Sequence, residues 1–332
     1  MTWNSRLAIL VILSAQLSLA GDHSNWIRLM EEANQFEESG ALDKAEFALR
    51  AALREAESPR RENLAYVATL NNLGGLFLER GQFLEAEVFL IRAWSELEKT
   101  PGSQQEFRLR VGGALSSLWL ATGKESRAEA LVLSLLPDEG ATLNVDAAAL
   151  LGNLGVALAH KRAFYGASAK LQIVVNALEG MTDPRACEVK AIALSNLGGI
   201  AMAEGSSAAR GFYKEALESL NRIPNPSPSV LAPIMAGYAR LLFKSNDLRE
   251  SVAMYSQAIN LMESRLGTVN ELYGTLLQEL SSTLIKIGHH PEARELRKRS
   301  KKILAQVRQD NVLGQTIDVT TLVFEGRSKG RR

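Results

Sequence analysis

Apolar residues along this chain recur at helical spacing, and turn-forming residues interrupt them at intervals. In the stretch LNNLGGLFLERGQFLEAE, Leu70, Leu73 and Phe77 lie three and four positions apart, as on one face of an α-helix. Gly81 ends this pattern, and a second helical pattern begins at Phe83. The stretch therefore predicts a helix, a tight turn and a second helix.

The same break recurs along most of the chain, about every 41 residues. Comparable breaks lie at Gly40, Gly81, Gly123, Arg162, Gly205, Asn246 and Gly288. A period maintained over all of these breaks predicts an array of helical hairpins, each with a helix A before the break and a helix B after it.

Small residues keep fixed positions around the breaks. Those on helix A are Ala33, Gly74, Ser116, Gly155, Gly198, Ala239 and Ser281. Those on helix B lie five residues after the break at Ala45, Ala86, Ala128, Ala167, Ser251 and Ala293, with Ala209 one residue early. A bulky side chain at these positions would hold the two backbones apart, so we expect helix A and helix B to touch there.

A single helical hairpin cannot bury its apolar face, so neighbouring hairpins must stack into one continuous core. This requirement predicts an all-α solenoid with polar ends. The last predicted helix, EARELRKRSKKILAQVRQ, suits an end because Leu296, Ile303 and Val307 can face inward. Its basic residues would then stay in solvent: Arg297, Lys298, Arg299, Lys301 and Lys302.

The second hairpin resembles the tetratricopeptide repeat. The residues that carry the likeness are Leu70, Leu73, Gly74, Phe77, Ala86 and Ala93. The period exceeds the usual 34 residues of that family, and in this respect the repeats are similar to those of kinesin light chains. The resemblance covers residues 26–307. It implies a right-handed superhelix of about seven repeats, whose concave groove is lined by A helices and holds a peptide or a partner protein.

The resemblance also implies which residues face the groove. Most lie ten, six or three positions before a break, and asparagines recur nine positions before three of the breaks. The candidate groove residues are Asn34, Asn71, Asn72, Gly75, Leu78, Ser117, Gly152, Asn153, Val156, Ser195, Asn196, Gly199, Arg240, Lys244, Gln278 and Ser282.

The chemistry of these positions suggests what the groove can bind. Its middle is expected to be small, apolar and uncharged, which argues against a clamp for a terminal carboxylate. Gly75 would let a ligand approach closely, whereas Gly74 would pack helix A on helix B. Asn72, Asn153 and Asn196 have two interpretations: they bind a peptide backbone, or they join neighbouring repeats.

Composition and charge narrow the function classes. The 332 residues are 46% hydrophobic and carry a formal net charge of +1, which gives no general signature of nucleic-acid binding. Charges gather toward the two ends of the predicted groove. One end has Glu37, Glu38 and Glu79, and the other has Arg240, Lys244 and Lys286. Such a gradient would orient an extended partner, although ordinary solvated side chains would give the same pattern.

Catalytic and metal-binding patterns are not evident in the sequence. It has no HExxH, phosphate-loop or Gly-x-Ser-x-Gly motif, and His289-His290 is interpreted as a solvated turn. The single cysteine, Cys187, cannot form an intramolecular disulfide and is expected to be a buried small residue. We therefore predict neither an enzyme nor a cofactor or metal site.

The two termini differ from the array. Residues 1–20 are typical of a secretory signal peptide, with apolar Leu7–Leu13 and small residues before Gly21, so export to the periplasm or outside the cell is predicted. An uncleaved membrane anchor is the alternative. Asp22 stands where a lipoprotein signal requires Cys, so no lipid anchor is expected. Residues 308–332 are predicted to form a tail that is partly extended or disordered, in which QTIDVTTLVF suggests a strand or a self-docking segment.

Two functions follow from the sequence. The first is an exported scaffold that binds a peptide or protein in its groove, with no membrane span after signal cleavage. The second is a structural or assembly protein that acts through its outer surface or as a homo-oligomer. The groove residues, not the repeat frame, would determine the partner.

Overall fold

The computed structural model describes residues 24–57, 63–99, 104–137, 142–266, 268 and 270–315. This part of the chain forms fourteen α-helices and no strand. In chain order they are α1 (Ser24–Glu38), α2 (Leu42–Ala56), α3 (Asn63–Glu79), α4 (Phe83–Lys99), α5 (Gln105–Ala121), α6 (Glu125–Leu135), α7 (Val145–His160), α8 (Phe164–Ala177), α9 (Pro184–Ala203), α10 (Ala209–Asn221), α11 (Pro228–Lys244), α12 (Leu248–Arg265), α13 (Glu271–Lys286) and α14 (His290–Gln315).

The helices pair into seven hairpins, and each hairpin turns at a predicted break. Every break residue has a positive φ: Gly40 75°, Gly81 73°, Gly123 71°, Arg162 61°, Gly205 72°, Asn246 64° and Gly288 88°. This left-handed conformation ends a helix within one residue and turns the chain back. The predicted solenoid of helical hairpins is therefore confirmed.

The small residues of helix A lie against helix B, as expected. A Cβ atom built on Gly74 would lie 2.5 Å from Leu90 Cγ, and one on Gly155 would lie 2.8 Å from Leu171 Cγ. Where serine replaces glycine, it bonds across the same contact: Ser281 Oγ donates to the carbonyl oxygen of Ala293 at 2.7 Å. These positions set how closely the two helices of a hairpin approach.

Successive hairpins stack, and their inner faces form the core. Each helix B packs on the next helix A, and neighbouring A helices also touch from α3 to α13. A buried hydrogen bond joins two of these layers, where the Trp26 indole N–H donates to Thr69 Oγ1 at 2.9 Å. The A helices therefore run side by side along one face of the array.

The array curves until its sixth hairpin meets its first two. The Arg265 guanidinium donates to the carbonyl oxygen of Glu38 at 2.6 Å. A Cβ atom on Gly40 would lie 3.0 Å from the carbonyl oxygen of Arg265, and one on Gly81 would lie 3.8 Å from Asn270 Cβ. Leu266 packs against the core of the first hairpins and that of the last. The concave face is thereby partly enclosed.

The C-terminal end of the array extends further than the sequence predicted. Helix α14 continues to Gln315, so residues 308–315 of the predicted tail are helical. Its inward side is as expected, with Ile303 buried and Leu296 and Val307 packed on the core. The predicted signal peptide (1–20) and most of QTIDVTTLVF lie outside the described residues.

Helix α9 is apolar and long enough to cross a membrane by length and composition. It packs against α7, α8, α10 and α11. Lys190, which is buried on this helix, forms an ion pair with Glu179. The apolar character of α9 thus serves packing within the array.

Candidate functional site

The concave face contains a cavity of about 330 Å³ between four A helices. We call it the central cavity. Helices α3, α5, α7 and α9 line it with Asn71, Asn72, Gly75, Leu109, Arg110, Gly113, Ala114, Ser117, Asp146, Ala149, Gly152, Asn153, Arg185, Glu188, Val189, Ile192, Ala193 and Asn196. The A helices therefore form the floor of the groove.

Seven predicted groove residues come together in the central cavity. They are Asn71, Asn72, Gly75, Ser117, Gly152, Asn153 and Asn196. Other predicted residues lie outside it: Leu78 and Val156 pack on the core, Ser195 and Gly199 are half-buried on α9, and Lys244 and Gln278 are exposed. Ser282 Oγ donates to the carbonyl oxygen of Gln278 at 3.0 Å.

Glycines open the floor of the cavity. A Cβ atom on Gly113 or Gly152 would meet no atom within 4 Å. These two residues therefore leave bare helix backbone facing the cavity, where another chain could approach closely. Gly75 lines the same cavity from α3.

The asparagines of the cavity differ from one another. Asn153 Nδ2 donates to the carbonyl oxygen of Gly113 at 3.1 Å and to Ser116 Oγ at 2.7 Å, which joins α7 to α5. Repeat-to-repeat packing is therefore the interpretation that fits Asn153. The Asn71 Oδ1 atom is buried and has no hydrogen-bond partner within the described ranges, so it is an unsatisfied acceptor in the wall of the cavity.

The middle of the groove is charged, and the sequence-based expectation of an uncharged middle is wrong. Asp146, 6% exposed, accepts a hydrogen bond from Arg110 Nε at 2.9 Å and forms an ion pair with Arg185. Glu106 also pairs with Arg110. Asp146 lies in the first turn of α7, where the helix dipole favours a negative charge.

The sequence pattern did not predict these charged residues because they lie outside the helical positions assigned to the groove. The counted groove positions began ten residues before each break, whereas Arg110, Asp146 and Arg185 lie further toward the start of their A helices. Continuing the same helical spacing by one to three turns would have reached them.

A second, smaller cavity of about 140 Å³ adjoins the central cavity. We call it the acidic cleft. It is lined by Asn34, Glu37, Glu38, Glu79, Glu188, Asn225, Pro226, Ser227, Pro228 and Arg265. Glu188 lines both cavities. The glutamates predicted at one end of the groove therefore lie together.

The predicted basic end of the groove is occupied by internal contacts. Arg240 Nε lies 2.9 Å from Glu279 Oε1. The Lys286 ammonium lies 4.1 Å from the centre of the Phe243 ring. These two cations thus stabilise the contact between α11 and α13.

The remaining candidate groups are the Cys187 thiol and possible metal ligands. Burial raises the pKa of the Cys187 thiol, so the thiol stays protonated and poorly nucleophilic near neutral pH. Within the described ranges, no group of three or more His, Cys, Asp or Glu residues could hold a metal ion.

Comparisons with known proteins place the fold. No protein-family model matches the chain, and no curated protein matches it. Among solved structures, NprR in complex with its cognate peptide NprX is 13% identical, with 98% of this chain and 88% of that chain covered and a TM-score of 0.58. The fold is a tetratricopeptide-repeat-like solenoid.

Two further structures share this fold. A Rap protein complexed with competence and sporulation factor is 12% identical, with 91% of this chain and 92% of that chain covered and a TM-score of 0.57. Bacillus thuringiensis PlcR in complex with the peptide PapR7 and DNA is 13% identical, with 85% and 99% covered and a TM-score of 0.52. Identities this low bear on the fold alone.

Proposed function

We propose that this chain is a non-enzymatic scaffold that binds an extended segment of a peptide or partner protein in its concave groove. The central cavity is the main contact. The observation that carries the proposal is its floor, where Gly113 and Gly152 leave room for a second backbone beside the side-chain amides of Asn71, Asn72 and Asn196.

An extended peptide presents alternating N–H and C=O groups, and a carboxamide can bond to both. Asn71, Asn72 and Asn196 line the cavity with such groups. Asn71 Oδ1 is a buried acceptor without a partner in the described part of the chain. NprR, the Rap protein and PlcR, which share the fold, were each solved with a peptide or factor bound. That likeness supports a peptide as the ligand class.

A leucine at Gly152 tests the proposal. The added Cβ atom meets nothing within 4 Å, so the leucine side chain would extend into the open space of the cavity. Gly211→Leu is the matched control, since Gly211 is exposed on α10 and equally uncrowded. Partners captured from the extracytoplasmic fraction would be quantified by mass spectrometry for both variants.

We expect Gly152→Leu to capture about tenfold less partner protein than wild type, or less still, because the substitution blocks a well-packed contact. Gly211→Leu should capture as much as wild type. Both variants should unfold at or above the wild-type temperature, because leucine favours helix over glycine. Equal capture by wild type and Gly152→Leu would refute the groove as the binding site.

A second candidate function is assembly through the outer surface. Large apolar side chains are exposed on several B helices, including Phe47 at 73%, Leu133 at 57% and Tyr165 at 92%. Exposed apolar side chains on neighbouring elements favour a protein contact. Sedimentation of wild type against a Phe47→Ser, Tyr165→Ser variant tests it: this function requires a concentration-dependent oligomer that the variant loses.

Both functions are proposed for a chain exported through residues 1–20. The sequence pattern alone supports this location. Sequencing the N-terminus of protein purified from its own cell tests it, with Gly21 as the expected first residue. A chain that starts at Met1 would instead agree with an uncleaved anchor.

A further inference from the structure

The acidic cleft has no role in the function proposed above, although it adjoins the central cavity. We infer that it is a subsite for a cationic group, an ammonium or a guanidinium, of the same peptide whose backbone lies in the central cavity. The inference rests on the proposed peptide-binding function and names the chemistry that one end of the ligand must carry.

The two cavities share one residue of helix α9 in their walls. Glu188 on α9 lines both, and its neighbours Arg185 and Val189 line the central cavity. The loop before α11 closes the far side of the cleft, where the backbone N–H of Ser227 donates to Glu188 Oε1 at 2.7 Å. A chain lying in the central cavity therefore has the acidic cleft directly beside it.

The lining of the cleft selects for positive charge. Glu37, Glu38, Glu79 and Glu188 contribute four carboxylates, and Arg265 contributes one guanidinium. Arg265 donates to the carbonyl oxygen of Glu38, which fixes this cation at the wall. Carboxylates around a partly enclosed space attract a cation more strongly than they would in open solvent.

Asn34 gives an independent indication of a ligand. Its side chain lines the cleft and is only 7% exposed. Buried polar side chains are nearly always hydrogen-bonded, yet the Asn34 carboxamide makes no hydrogen bond to the rest of the described chain. Its oxygen can accept from an ammonium or guanidinium N–H. A cationic group in the cleft would satisfy it.

The size of the cleft fits one side chain or a chain end. Its volume is about 140 Å³, less than half that of the central cavity. The cation can come from a Lys or Arg side chain or from the amino terminus of the peptide. These two sources share one chemistry and differ in how they respond to acetylation.

A peptide library tests the inference on the ligand side. The probe is a synthetic library of random hexapeptides with free amino termini, selected for binding to the full mature chain. The strongest binder is then measured again in two forms, one acetylated at its amino terminus and one with each Lys or Arg replaced by norleucine. We expect one of these forms to bind about tenfold more weakly, as for a lost charge-assisted hydrogen bond, and that form identifies the source of the cation.

Variants of the protein test the same contact. Glu79→Gln and Asn34→Leu should each lower the affinity for the strongest-binding peptide about tenfold. Glu218→Gln, which removes an exposed carboxylate on α10, should leave this affinity unchanged. In a double-mutant cycle, Glu79→Gln should have no further effect on the peptide form that lacks the cation. Glu79→Gln keeps the shape of the side chain, and thermal unfolding checks that it folds.

The failures of the inference and of the proposed function are distinguishable. A library that yields no binder overturns both. Binders that are lost on Gly152→Leu, but that keep their affinity without a cation or in Glu79→Gln, overturn the cationic subsite and leave the groove proposal in place. If Glu79→Gln lowered the affinity for the charged and the uncharged peptide by the same factor, the cationic subsite would also be refuted.

Discussion

Arg162 closes the fourth hairpin in a backbone conformation that suits glycine. Its φ is 61°, and five of the other six hairpin turns have glycine at this position. A side chain with a Cβ atom pays about 1–2 kcal/mol to adopt the left-handed region. Asn246 has the same conformation, but asparagine tolerates it better because its side chain can bond locally.

Arg162→Gly should therefore stabilise the protein. We expect the free energy of unfolding to rise by about 0.5–1 kcal/mol, because the relief of strain exceeds the entropy cost of glycine in the unfolded chain. Urea unfolding would measure the change. Arg162→Ala keeps the Cβ atom and should bring no gain; a gain as large as that of Arg162→Gly would show that the lost arginine side chain, not strain, was responsible.

Asp146 is the anchor of the charges at the floor of the groove. It is nearly buried between Arg110 and Arg185. Asp146→Asn would remove the carboxylate that lies between the two guanidinium groups, while Arg110 keeps its ion pair with Glu106. Removing one partner of a fully buried pair costs roughly 3–5 kcal/mol, and since Arg185 is 27% exposed, we expect about 2 kcal/mol.

Chemical denaturation of Asp146→Asn would measure this loss of stability. Glu32→Gln is the control because it breaks an exposed pair with Arg28 and should change stability by no more than about 0.5 kcal/mol. Equal effects of the two substitutions would mean that the buried pair contributes no more than a surface pair.

At the scale of helices, two glycines on A helices have opposite roles. A Cβ atom on Gly74 would lie 2.5 Å from Leu90 Cγ, whereas one on Gly113 would meet nothing within 4 Å. The first glycine permits helix contact and the second leaves space in the groove. The same substitution at the two sites should therefore change stability in opposite directions.

Gly74→Ala should destabilise the protein by about 2 kcal/mol, because the methyl group forces Leu90 or the helix to move. Gly113→Ala should stabilise it by up to about 1 kcal/mol, since alanine favours helix over glycine. Thermal and urea unfolding of both variants would measure the difference. Destabilisation by Gly113→Ala would contradict the assignment of open space beside this residue.

The hairpins could be predicted from the sequence because their determinants are local. A turn residue such as Gly81 and a small residue such as Gly74 act within one hairpin, so period and spacing reveal them. The ion pairs of Asp146 join three separate A helices, and no single hairpin carries their signal. The small residues and asparagines of the candidate groove could accordingly be predicted from the sequence, whereas its charged residues could not.

For the whole molecule, the contact between the sixth hairpin and the first was not predictable from local pattern. It depends on the small rotation between neighbouring hairpins, summed over the array. Arg265 and Leu266 look like ordinary residues at the end of a helix. Only the accumulated curvature brings Arg265 to the carbonyl oxygen of Glu38.

Arg265→Ala should loosen this contact. The variant loses the hydrogen bond to Glu38, which should cost about 1 kcal/mol for a partly exposed charged donor. Hydrogen exchange should quicken at the end of α1 and around residue 266, and stay unchanged in α7. Arg249→Ala is the control on the same helix, and faster exchange confined to α12 would argue against a contact between the two hairpins.

The meeting of the two distant hairpins also bears on how the protein unfolds. In an open array each hairpin is held only by its neighbours, so terminal hairpins fray first and unfolding spreads inward. Here a contact spans 227 residues between Glu38 and Arg265. The first hairpin therefore has a second point of attachment, and its fraying must also release the end of α12. Loss of the first hairpin therefore also weakens the sixth, which makes the array more cooperative than its repeated sequence suggests.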